Sequence, residues 1–124
     1  MYRGVIGVMV ILPKNLLIQY YEELINSCFK LIPLSRGEKY KSREIVYTPE
    51  ESYRNFKSYL DDLIIEILGS SMFFCSANSI KLASILHGML VEISIETLPK
   101  VKGLTRNCID LCKKIINEIE VGDS

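Results

Sequence analysis

The residues best able to do chemistry are four cysteines, one histidine, two spaced carboxylate pairs and a short run of cations. Cys108 and Cys112 stand four apart, a spacing that puts both thiols on one helix face. Two thiolates so placed could begin a zinc site, but zinc takes four ligands and compact sites draw them from two close pairs. The remaining donors here, Cys28, Cys75 and His87, are isolated in sequence. Both cysteines also fall on an apolar stripe, so they read as packed thiols, and no metal or other cofactor is expected. His87 is the only histidine and lies in Leu86-His87-Gly88. A single imidazole excludes the dinuclear bundle sites that take a Glu-x-x-His motif from each of two helices. Nothing in the sequence sets a cysteine beside it as a nucleophile pair. Between Ile85 and Met89 it reads as a partly buried, hydrogen-bonded ring rather than a catalyst.

Asp62 and Glu66, and Glu92 and Glu96, are paired at helical spacing. Two such pairs on facing helices could hold Mg²⁺ against substrate phosphates, provided that the carboxylates point inward. Asp62 and Glu66 fall on the side away from Leu60 and Ile67, and Glu96 lies at a helix end, so a solvated face is expected. The cations Arg36, Lys39, Lys41 and Arg43, with Tyr40 among them, have the basic-aromatic mix that grips nucleotides or single strands. Lys100, Lys102 and Arg106 extend that cluster if the fold brings them near. A charged loop is often merely solvated, but long loops on rigid scaffolds tend to carry activity, which makes this the strongest ligand-binding candidate. The sequence contains no Gly-x-x-x-x-Gly-Lys, Gly-x-Ser-x-Gly or Gly-x-Gly-x-x-Gly. No residue is assigned a catalytic role.

The chain has 124 residues, 48% hydrophobic and 24% charged, which suits one globular domain over residues 1–124. Fifteen cations balance fifteen anions, against the basic excess of a dedicated nucleic-acid binder. Ile occurs 17 times and Ala twice, a bias of an AT-rich genome rather than of a fold. Residues 4–12 loosely mimic the apolar core of a secretory signal. Pro13-Lys14-Asn15 gives no small-residue cleavage site, and nine residues fall well short of the ~20 that span a bilayer. A cytoplasmic protein with reduced thiols and no membrane contact is expected.

The elements that must position these groups are helices. Val5, Ile6, Val8, Met9, Val10, Ile11 and Leu12 form a nearly continuous apolar run that periodicity leaves open between a strand and a short helix, with a slight lean to the helix. From Lys14, apolar residues from Leu16 to Ile32 recur at three- and four-residue steps, and Pro33 is expected to end that helix. Residues 34–47 form a charged linker, with Glu44-Ile45-Val46-Tyr47 its one strand-like segment. Thr48-Pro49-Glu50-Glu51 is a capping box that opens a helix over 49–68, whose inner face runs from Tyr53 to Leu68 and whose stop is Gly69. Phe73 and Phe74 belong to a turn that tucks part of itself inside. Ser79 is expected to cap a third helix that is apolar round more than half its circumference, from Ile80 to Ile93, and therefore central. After Thr97-Leu98-Pro99 a fourth helix runs to about Glu120, and Gly122 closes it.

A mainly α, four-helix bundle-like domain follows. The N-terminal run, the Phe73-Phe74 turn and the third helix carry more apolar surface than one small core takes up. Excess apolar surface marks association. The expected function is thus a non-enzymatic protein–protein interaction module, acting as a homodimer or as a small subunit or inhibitor bound to a protein partner. Val5, Val8, Ile11, Phe73 and Phe74 are its expected contacts. The alternative is a small nucleotide- or phosphate-binding protein or enzyme using Arg36, Lys39, Lys41 and Arg43.

Overall fold

A computed structural model describes residues 13–39, 42–70 and 73–121. Four α-helices occupy most of them: α1 (Lys14–Ser35), α2 (Pro49–Ser70), α3 (Ala77–Glu92) and α4 (Lys102–Val121), with a 3₁₀ turn at Leu98–Lys100. The expected mainly α, four-helix bundle-like architecture is the one observed. The run from Val5 to Leu12, including the contacts expected at Val5, Val8 and Ile11, lies outside the described residues.

Each helix packs on two neighbours, α1 on α2 and α4, and α3 on α2 and α4, with α1 against α4 the most extensive seam. Side-chain hydrogen bonds fix the directions. The Tyr20 hydroxyl donates to the Glu66 carbonyl at 2.7 Å and the Tyr59 hydroxyl to the Ser27 carbonyl at 3.2 Å, so α2 runs antiparallel to α1. Lys14 Nζ donates to the Glu120 carbonyl at 2.7 Å, joining the start of α1 to the end of α4. The start of α3 meets the same end of α4, where the Glu118 carboxylate accepts from Ser76 Oγ at 2.8 Å and from Asn78 Nδ2 at 3.1 Å. All four helices share one core, in which Tyr21, Phe56, Leu60, Leu82, Leu86 and Ile115 are fully buried.

The ends of the helices depart from expectation in three places. Pro33 does not stop α1, which continues to Ser35. Proline there forfeits the N–H that would reach back to Phe29, and its ring crowds that carbonyl. The turn beyond compensates: Glu38 N–H donates to the Pro33 carbonyl at 3.0 Å and Gly37 N–H to the Leu34 carbonyl at 3.2 Å. With Gly37 at a φ of 71°, this is a Schellman closure with the glycine one residue past the cap. The second departure is at Gly69. It does not stop α2 but lies inside it, one residue before the last. Thirdly, α3 begins at Ala77 and is capped by Ser76 rather than Ser79. Ser76 Oγ accepts from Ser79 N–H at 3.3 Å and Ser79 Oγ accepts from Ser76 N–H at 2.7 Å, a reciprocal box that serine, like glutamate, can complete. The box at the start of α2 is as expected, with Thr48 N–H to Glu51 Oε1 at 2.9 Å and Glu51 N–H to Thr48 Oγ1 at 3.1 Å.

The linker folds back on itself. Lys39 N–H donates to the Glu44 carbonyl at 2.7 Å, and Glu38 and Ile45 form an isolated antiparallel bridge. Glu44 to Tyr47 thus reaches no further into a sheet among the described residues.

Candidate functional site

Three of the four cysteines converge. Cys28 of α1 and Cys108 and Cys112 of α4 are fully buried in the seam between these helices, while Cys75 is exposed. The Cys28 and Cys112 thiols are close enough for each to set the other's titration. The Cys112 thiol favours the thiolate at Cys28, while Cys28 and burial together hold Cys112 well above the usual thiol range. Burial and the neighbouring Cys28 push the Cys108 thiol up to about 12. A thiol reacts as its thiolate, so packing here suppresses nucleophilic chemistry at Cys108 and Cys112. Among the described residues no group of three or more His, Cys, Asp or Glu side chains is placed to hold a metal ion.

His87 corrects the sequence reading. It is exposed on α3 rather than partly buried, because α3 turns Leu82, Leu86 and Met89 inward and the ring falls a quarter-turn or so away from Leu86. Asp62, Glu66, Glu92 and Glu96 are all exposed, as a solvated face requires.

The linker cations do not form a cradle. Arg36 is exposed and pairs loosely with Glu38 at 3.9 Å. It borders a cleft of about 260 Å³ whose other walls, including Ile45, Tyr47, Ile95 and Pro99, carry no second cation. Lys39 and Arg43 are exposed, Arg43 at a φ of 58° in the hairpin tip, and Tyr40 and Lys41 lie outside the described residues. Lys100, Lys102 and Arg106 are exposed around the start of α4.

The feature that stands out is apolar. Between α2 and α3 runs an open groove of about 460 Å³, lined by Ile64, Ile67 and Leu68 on one side and Ile80, Ala83 and His87 on the other. Leu68 is 57% exposed, Ile80 59% and, further along α3, Val91 67%. Leu68 and Ile80 were expected on buried faces. The helices carry more apolar residues than one stripe, and these lie on the flank that the bundle leaves outside. By the same token α3 is not central: it is one wall of the bundle, with its outer side uncovered among the described residues. Phe73 is also exposed and, with Leu17, Tyr20 and Gly69, lines a second apolar cleft of about 270 Å³ between α1 and α2, whereas Phe74 is partly buried against the core. The sequence signal that points to the outer wall of α3 is its lack of charge, for Lys81 and Glu92 are its only Asp, Glu, Lys or Arg residues.

No protein-family model, characterised protein or solved structure matches this chain. No helix among the described residues is long and apolar enough to cross a membrane.

Proposed function

We propose that this chain is a non-enzymatic helical interaction module that works by pairing with a second copy of itself. The observation that carries the reading is the exposed apolar wall of α2 and α3, with Leu68 and Ile80 each more than half exposed in a groove without a lysine, arginine or carboxylate in its lining, and Val91 exposed further along α3. Apolar surface of this kind on a small domain is removed from water by association. Leu68, Ile80 and Val91 lie outside the core cluster of the described residues. Exposed Cys75 and His87 also line this groove, and no hydrogen bond joins the thiol to the ring among the described residues.

The test is a charge placed on the wall. Ile80→Asp and Val91→Asp change side chains that the bundle leaves outside, so both variants should keep the helical circular-dichroism spectrum. An unpaired charge in an apolar interface costs several kcal/mol, so both should sediment as monomers at concentrations where the wild type is dimeric. A folded Ile80→Asp variant with unchanged association contradicts the reading.

A further inference from the structure

Cys28, Cys108 and Cys112 are fully buried where α1 packs on α4, the most extensive seam of the bundle. Lys14 joins the start of α1 to the end of α4, so these two helices run antiparallel. Packed helices stand about 8–10 Å apart, with their Cα atoms on cylinders of about 2.3 Å radius. Facing Cα atoms on the line of closest approach are then about 3.5–5.5 Å apart, which overlaps the ~4.4–6.8 Å that a disulfide spans. Cys28 and Cys112 are close enough for each to set the other's titration, whereas Cys108 is raised by burial and feels Cys28 only through its charge. Cys112 holds the Cys28 thiol below its ordinary range, which makes Cys28 the readiest nucleophile of the three.

We propose that Cys28 and Cys112 form a reversible disulfide under hydrogen peroxide, which staples α1 to α4 and makes this seam a redox-sensitive lock. Peroxide is little larger than water and enters as the seam opens locally. The Cys28 thiolate attacks one peroxide oxygen, the O–O bond breaks, and the departing hydroxide takes up a proton. Cys28 is then a sulfenic acid and no longer carries the charge that helped to hold the Cys112 proton. The Cys112 sulfur attacks the Cys28 sulfur, the S–O bond breaks, and hydroxide leaves with the Cys112 proton as water. Two thiols and one peroxide thus give one disulfide and two waters, with two electrons passing from sulfur to oxygen. A small thiol reverses the step by exchange. The two positions lie far apart in sequence, so the bond closes a long loop and should stabilise the fold. The seam lies across the bundle from the α2–α3 groove, and the lock does not depend on self-pairing.

The test is peroxide oxidation of the chain in a Cys75→Ser background, which removes the exposed thiol. After quenching and alkylation, intact mass should show the loss of two hydrogens in most chains, and peptide mapping should find Cys28 linked to Cys112. The reaction should speed up by about tenfold or more in urea just below the unfolding midpoint, because opening gates it. The oxidised chain should have a higher urea midpoint than the reduced one, and dithiothreitol should restore the lower value. Cys108→Ala should keep the link and Cys112→Ala should lose it. If these variants fail to fold, the peptide map of the Cys75→Ser chain decides alone. A link from Cys28 to Cys108, or sulfinic acid at Cys28 without any link, overturns the pairing. Thiols that stay reduced in peroxide at every urea concentration short of unfolding overturn the lock as well.

Discussion

The Tyr21 and Ser70 hydroxyls meet at 3.1 Å inside the bundle, one from the third turn of α1 and the other from the last residue of α2. Ser70 in turn donates to the Ile67 carbonyl at 2.7 Å, so a short buried polar chain ties the end of α2 to α1. Burial pushes the Tyr21 phenol above its ordinary range, which keeps its proton in place. Ser70→Ala strands the Tyr21 hydroxyl and should destabilise by about 1–3 kcal/mol. Tyr21→Phe removes the hydroxyl and leaves Ser70 bonded to Ile67, for a smaller loss of about 1 kcal/mol. Urea denaturation of the double variant should show less than the sum of the two. Strict additivity means that the pair does not interact.

Thiol accessibility separates the cysteines. Cys75 should react with Ellman's reagent in the native state, whereas Cys28, Cys108 and Cys112 should react only as the protein unfolds. Zinc is expected to be absent from the purified protein by elemental analysis, and EDTA should leave the melting temperature unchanged. Two or more fast thiols in the native protein contradict the buried seam.

Alkaline pH should weaken the fold, with a sign that follows from protons held more tightly in the native state. Burial and the Glu66 carboxylate raise the Tyr20 phenol from 10.0 to about 12, and burial raises the Cys108 thiol from 9.0 to about 12. Both groups bind protons more strongly folded than unfolded. Their contribution is complete below pH 9 and is lost as pH rises towards 12. The urea midpoint should therefore fall steadily across that window. A midpoint that stays flat through it removes the assignment.

Two glycines should respond oppositely to the same substitution. Gly37 has a φ of 71°, and a Cβ there would lie 2.5 Å from Ser52 Oγ and 2.8 Å from the Tyr47 carbonyl oxygen. Gly37→Ala should cost more than about 1 kcal/mol through left-handed backbone strain alone. Gly69 is helical with open space around it, so Gly69→Ala should stabilise by about 0.5–1 kcal/mol. Thermal melts read both. A destabilised Gly69→Ala variant would restore the left-handed stop expected from sequence.

These glycines show where the sequence was legible and where it was not. The Thr48–Glu51 box could be read directly because its partners lie three residues apart. The middles of the inner faces of α2 and α4 followed from periodicity, since Phe56, Leu60 and Leu63, and Cys108, Cys112 and Ile115, share one side and are buried, whereas Leu104, expected with them at the start of α4, is exposed. Pro33 misled because its helix is closed by Gly37 and by the hairpin behind it, and the local penalty at proline gives no sign of that closure. His87, Leu68 and Ile80 misled for a different reason. A helix with apolar residues on most sides does not reveal which flank its neighbours will cover, and that is decided by how α2 and α3 meet. The cations of the linker looked like a cluster along the chain, but the turn at Gly37 and the bridge at Glu38 and Ile45 leave Arg36, Lys39 and Arg43 on no common cavity among the described residues.

Sedimentation equilibrium of the wild-type chain tests the central claim most directly. Self-pairing predicts a mass approaching twice the 14.2 kDa of one chain at micromolar concentration, falling towards a single chain on dilution. Because the proposed contact is apolar, that mass should hold when the salt concentration is raised. A mass of 14.2 kDa at every concentration tested contradicts the claim.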